Sequence, residues 1–230
     1  MENGFKITYN VDMVFCIDAT ESMGGILETV KNNALNFYND VVEEMKKKGK
    51  TISQLRIRIV AFRDYLADGD NAMLVTDFFQ LPRDTAVFES CVRSIMPLGG
   101  GDEPEDGLEA LAYAMKSDWN NTGIKKRHVI VVWSDAPTHE IGYGRRVPSY
   151  PKNMAKSFPE LSSWWGDRGS GAAAVMNQSA KRLLLFAPDS RDWNRISDNW
   201  DNVIHCPSVA GNGLNELDYR QIIDAISNTI

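Results

Sequence analysis

Three short acidic segments of this 230-residue chain carry side chains of the kind that hold a hard cation. Asp18-Ala19-Thr20-Glu21-Ser22 sets a carboxylate and two hydroxyls at alternate positions. Gly101-Asp102-Glu103-Pro104-Glu105-Asp106 gathers carboxylates behind a glycine run, and Trp133-Ser134-Asp135 closes an apolar run with a hydroxyl and a carboxylate. Such oxygens suit Mg²⁺ or Mn²⁺ far better than zinc or copper. Each segment also has a plainer reading. Thr20 and Ser22 can cap a helix, Asp135 can serve a turn before Pro137, and Asp102 can sit near a helix N-terminus where the dipole favours it. Capping and metal binding are compatible.

A cation site needs these segments brought together, and the apolar pattern indicates how. Val11 to Ile17 is apolar apart from Asp12, as a parallel strand buried on both faces would be, and it stops at Asp18. Apolar residues from Met23 to Met45 then recur at helical spacing, predicting one long helix that Gly49 ends. Leu55 to Phe62 alternates with Arg56 and Arg58 outward, predicting a strand toward a sheet edge, with Met73 to Leu81 as its partner. The connection between them is too short for a crossover helix, so that pair is expected to be antiparallel. His128 to Trp133, Leu183 to Ala187 and Val203 to Cys206 supply three further strands. Helices are expected over Thr85 to Ile95, Asp106 to Met115, Asp192 to Asn199 and Leu214 to Ile230.

The sum is an α/β chain of the Rossmann-like, doubly wound kind. It has a mostly parallel six-stranded sheet with one antiparallel edge strand and helices on both faces. With no repeat or linker, residues 1–230 read as one domain in which 139–171, rich in proline and containing Trp164 and Trp165, is an elaboration on one face. In such a sheet, ligands gather outside the carboxyl ends of the strands where strand order reverses. The three acidic segments are expected to meet there.

Composition narrows the function. Lys plus Arg number 25 against 31 for Asp plus Glu, a net charge of −6, so the broad positive field that nucleic acid rewards is absent. No run reaches the roughly 18 apolar residues of a membrane span, and residues 1–10 have no secretory leader pattern, so a cytoplasmic protein is expected. Cys16, Cys91 and Cys206 are odd in number and widely spaced, which suggests neither a disulfide framework nor a zinc site. His139 lies close enough to Asp135 to approach a metal rim, but a solvated loop side chain is the preferred reading; His128 and His205 read as hydrogen-bonded strand residues. Trp164 and Trp165 read as packed against the sheet rather than as a recognition patch.

The acidic segments resemble the von Willebrand factor A domain, also called the integrin I-like domain. The metal-ion-dependent adhesion site of that family uses Asp-x-Ser-x-Ser after the first strand, a Thr or Asp before the third helix, and an Asp after the fourth strand. The matching positions are Asp18, Thr20 and Ser22, then Asp102, then Asp135. Thr20 departs from the pattern but keeps the hydroxyl. Asp102 within Gly-Gly-Gly-Asp-Glu-Pro-Glu, and Phe62-Arg63-Asp64-Tyr65, are similar to the hemicentin and alpha-kinase-associated branches. The resemblance covers about Asp12 to Asp135 well, and the remainder by element count only.

The resemblance implies a Mg²⁺ or Mn²⁺ site that recognises a protein partner, in a system that could include a kinase, an ATPase or a defence system; charge and hydropathy point to no nucleic acid and no membrane. Three carboxylates around a dication would leave one net negative charge, which favours a neutral oxygen from the partner over a carboxylate. Two other classes use the same residues: a metal-assisted phosphoryl or ester hydrolase, and a scaffold with a purely structural metal. An enzyme is the weaker expectation. A haloacid-dehalogenase-type phosphatase would need a second carboxylate where Thr20 stands, and no nucleotide-binding glycine motif or serine-hydrolase elbow occurs.

Overall fold

The computed structural model describes residues 8–100, 104–166 and 173–230. The sheet is built on β1 (Thr8–Asp18), which pairs in parallel with β2 (Thr51–Phe62) on one side and β5 (Lys125–Trp133) on the other. Beyond β5 come β6 (Lys181–Pro188) and β7 (Val203–Ser208), also parallel. With β3 (Met73–Val75) outside β2, the strand order β3-β2-β1-β5-β6-β7 reverses direction at β1, so the crevice at the switch point opens at the carboxyl ends of β1 and β5.

The sheet has seven strands rather than the expected six, because the antiparallel edge is divided. β3 (Met73–Val75) and β4 (Phe79–Leu81) both pair with β2. Thr76 makes the division: its hydroxyl accepts the Ile59 N–H at 3.0 Å, and its carbonyl takes Arg58 Nε at 2.7 Å instead of a ladder bond. The hydroxyl thereby replaces the Thr76 carbonyl in the ladder, while Thr76 N still donates to the Ile59 carbonyl at 3.0 Å.

Alternate residues of β1 feed two cores. Val11, Met13, Phe15 and Ile17 face α1 (Gly24–Asn33), α2 (Phe37–Lys47), α4 (Thr85–Ser94) and α8 (Tyr219–Thr229). Val14 and Cys16 face α5 (Gly107–Met115), α6 (Phe158–Trp165) and α7 (Arg191–Asn199); the short α3 (Tyr65–Asp68) lies just after β2. The long first helix is interrupted between α1 and α2. Asn33 Nδ2 donates to the Thr29 carbonyl at 2.8 Å and so competes for a helical acceptor, and a turn over 34–36 follows. α8 starts later than expected because Asp218 and Gln221 form a capping box.

Trp165 is fully buried and Trp164 nearly so, both in the second core, in keeping with the packed reading. Cys16 donates weakly to the Ala110 carbonyl at 3.6 Å, and burial pushes its thiol pKa up, as for an inert core thiol. Among the described residues no helix is long and apolar enough to cross a membrane.

Candidate metal centre

Asp18 is the last residue of β1 and Asp135 lies two past β5, on neighbouring strands, so sheet register alone brings them together. Hydrogen bonds link them through the two hydroxyls. Thr20 donates to Asp18 Oδ1 through Oγ1 at 2.6 Å and through its N–H at 3.0 Å. Ser22 Oγ donates to Asp135 Oδ1 at 2.9 Å, and the two hydroxyl oxygens are 3.4 Å apart. Ser134 donates to Asp18 Oδ2 at 2.8 Å. Asp18, Thr20 and Asp135 are buried, while Ser22 is exposed and opens the group to solvent.

The proton assignments bear on what this group can hold. Both hydroxyls spend their hydrogens on carboxylates, which leaves their lone pairs available to a cation at no loss of hydrogen bonding. The residues present therefore fit a hard divalent ion. Asp102, the expected third-segment ligand, lies outside the described residues. A different carboxylate from that segment is placed nearby: Glu105 is 3% exposed, and its Oε2 has no hydrogen-bond partner among the described residues. A Cβ on Gly100 would stand 3.0 Å from both Glu105 Oε1 and Thr20 Cγ2, so glycine is what lets that loop close over the group.

Electrostatics set this end of the sheet apart. Burial pushes Asp18 from 3.8 up to about 6 against its hydrogen bonds from Thr20 and Ser134, with the Asp135 charge adding to the rise. Glu105 is pushed up to about 9, first by burial and then by Asp18, Asp64, Asp68 and Asp106. Asp106 and Glu109 are raised mainly by burial. A cation is the group that would relieve all four.

The roles of several positioning residues are invisible to motif reading. Arg63 gives its guanidinium to three carbonyls, Ala19 at 3.0 Å, Asn71 at 2.8 Å and Met96 at 2.7 Å, so it staples the loop after β1 rather than binding a ligand. Gly213, at φ +60°, donates its N–H to Asp135 Oδ2 at 2.7 Å, and a Cβ there would meet the Ser22 carbonyl at 2.2 Å. Trp193 Nε1 donates to the Ala136 carbonyl at 3.0 Å. His139 departs from its expected solvated state: it is 6% exposed and stacks on Tyr143 with centroids 3.9 Å apart. The reason is the backbone pairing of 105 with 137–139, in which Glu105 N donates to the Pro137 carbonyl and His139 N to the Glu105 carbonyl. Glu105 in its acidic run, Arg63 within Phe62-Arg63-Asp64-Tyr65 and His139 after Asp135 left a trace in the sequence, whereas Gly213 and Trp193 left none.

A doubly wound α/β sheet with a carboxylate and hydroxyl group at its switch point defines the class of protein. The chain belongs to the von Willebrand factor A domain family, whose model matches residues 12–148. It is 26% identical over 141 residues to alpha-protein kinase vwkA of Dictyostelium discoideum, a match that spans 61% of this chain and 21% of that protein. The solved structure of the vWF domain of the type V pili tip protein Mfa5 from Porphyromonas gingivalis is 26% identical, over 57% of this chain and 39% of that one, with a TM-score of 0.36. The pilus adhesin SpaC from Lactobacillus rhamnosus GG shares the fold over 96% of this chain and 31% of that chain, at 13% identity and a TM-score of 0.51. This chain thus spans about a fifth of the length of the curated relative it matches. Domains of this family mediate protein–protein interactions.

Proposed function

We propose that this chain is a divalent-cation-dependent protein-interaction module in which Asp18, Thr20, Ser22, Asp102 and Asp135 hold Mg²⁺, with Mn²⁺ as the substitute. A bound dication would leave a coordination place for an oxygen of the partner. The observation that carries the reading is the run of short contacts that gathers these oxygens, Thr20 Oγ1 to Asp18 Oδ1 at 2.6 Å, Ser22 Oγ to Asp135 Oδ1 at 2.9 Å and the two hydroxyls 3.4 Å apart. Met96 and Leu98, 53% and 58% exposed, add apolar contact area beside it, and Leu98 N is tied to the Ala19 carbonyl at 3.1 Å. The excess of carboxylates favours a neutral partner oxygen, a carbonyl, amide or hydroxyl.

In this reading residues 1–230 form one A-like domain, with 139–171 as an elaboration. It acts in the cytoplasm as a non-enzymatic module, and the likeness to a kinase supports a partner system that includes one. Isothermal titration with Mg²⁺ followed by capture from native extract, with Mg²⁺ or with chelator, tests it. Partners recovered only with Mg²⁺, and lost with Asp18→Ala, are the expected result; equal recovery in chelator would exclude the metal's role.

A further inference from the structure

A second set of ionisable side chains meets beside the first. Asp64 follows β2, Asp106 precedes α5 and His139 lies beyond β5, so three segments distant in the chain supply them. Asp64 is 1% exposed, Asp106 0% and His139 6%. One oxygen of each carboxylate and one ring nitrogen lie within 4.8 Å of one another. Each carboxylate is oriented by a backbone donor on one of its oxygens: Leu66 N donates to Asp64 Oδ1 at 2.7 Å, and Tyr65 N to Asp106 Oδ2 at 2.6 Å. Asp64 Oδ2 then faces His139 Nε2 at 3.7 Å. Asp106 Oδ1 is buried with no hydrogen-bond partner among the described residues. A buried carboxylate oxygen left without a donor is costly enough that native proteins rarely keep one unless something binds there.

We propose that Asp64, Asp106 and His139 form a second divalent-cation site, for a first-row transition metal such as zinc or manganese, separate from the Asp18 and Asp135 centre. The donor set makes the distinction, because one imidazole nitrogen with two carboxylates suits such metals, whereas the first centre offers oxygen alone. The spacing agrees. Donors around a tetrahedral zinc stand about 3.4 Å apart when its bonds are about 2.1 Å, and the Asp64 to His139 separation is 3.7 Å. The supports that a metal ligand needs from its surroundings are also in place: backbone N–H groups on both carboxylates and Tyr143 stacked on the imidazole. Glu109, one turn along α5, has its Oε1 held by Gly142 N and Tyr150 OH, and its Oε2 has no partner among the described residues. It adds negative charge that a dication would offset. The proposal uses none of the residues of the first centre and stands or falls separately from it.

Cobalt titration of the chelator-stripped full chain, in millimolar Mg²⁺, tests it through visible absorption bands and through the metal retained after desalting. Wild type and the Asp18→Ala/Asp135→Ala double variant are both expected to retain one Co²⁺ that Zn²⁺ displaces. Asp106→Asn and His139→Gln are expected to bind at least about 100-fold more weakly or not at all, since losing a group that merely supports a ligand already costs up to about 100-fold. Asp106→Asn keeps the side-chain shape and removes a buried charge, so its metal-free melting temperature is expected to equal or exceed that of wild type; if it fails to fold, His139→Gln decides. Co²⁺ binding unchanged in His139→Gln, binding abolished by the Asp18→Ala/Asp135→Ala pair, or no retained Co²⁺ in wild type would each overturn the second site.

Discussion

Two aspartates of β1, one within the strand and one at its carboxyl end, are equally buried and have opposite surroundings. Asp12, in the amino-terminal half, is 1% exposed and takes both Arg56 Nε at 2.8 Å and Nη2 at 2.6 Å, with Asn120 N as a third donor at 2.6 Å. Asp18, at the carboxyl end, has two hydroxyls and one N–H but no cation, and its charged neighbour is Asp135. The contrast extends along each edge. At the amino end Lys181, fully buried, donates to Asp201 at 2.6 Å and to the carbonyls of Trp165 and Gly166. At the carboxyl end Glu105, Asp106 and Glu109 each keep a buried oxygen without a partner among the described residues. One end satisfies its charges within the chain, and the other crowds buried acids that no basic side chain offsets among the hydrogen bonds and ion pairs of the described residues. Unbalanced burial of this kind is a signature of function rather than of stability.

The largest expected effect is at the satisfied end. Asp12→Asn should cost about 3 kcal/mol, because it leaves a half-buried guanidinium without its bidentate partner; urea denaturation with an unchanged midpoint would erase the contrast. Next comes the response to metal. Mg²⁺ at a hundred times its dissociation constant should stabilise the wild type by about 2.7 kcal/mol, raising the melting temperature by roughly 5–10 °C. Asp18→Ala and Asp135→Ala should abolish the rise and His139→Ala should preserve it, so an unchanged wild-type melt across millimolar Mg²⁺ would remove the first centre.

A smaller effect follows from neutralising one excess acid. Glu105→Gln should stabilise the metal-free protein by about 1 kcal/mol near pH 8, since folding obliges the buried Glu105 to take up a proton there and the amide needs none. The sign with pH is fixed by the raised values of Asp18, from 3.8 to about 6, and Glu105, from 4.5 to about 9. The folded chain holds protons that the unfolded chain releases. The stability these groups contribute is complete below about pH 4 and is lost as pH rises through 6 and then 9. Melts of the metal-free chain should therefore weaken from pH 5 to 9, with a shallower slope in Glu105→Gln; a rising slope would contradict the unpaired burial. The smallest expected effect is none: turnover of common phosphate esters with Mg²⁺ should stay at background, and metal-dependent turnover lost in Asp18→Asn would favour a hydrolase.

By itself the sequence determined the elements whose signal is local. Continuous apolar runs fixed β1 and β5, because a parallel strand covered on both faces cannot alternate, and each run ended at the aspartate that now stands at the switch point. The spacing of Asp18, Thr20 and Ser22 was equally legible, since a strand end turning into a helix presents alternate residues to one point. What lay between local signals was decided only in three dimensions. The hydroxyl of Thr76 split the edge strand, and the side chain of Asn33 ended a helix that periodicity alone would continue. Gly213 reached Asp135 from 78 residues away. Asp64, Asp106 and His139 became a cluster because loops after β2 and β5 and the start of α5 converge at the carboxyl end of the sheet. Burial drew the last distinction: a carboxylate reads the same in sequence at either end of a strand, and whether its charge is paired depends on which side chains the tertiary fold packs against it.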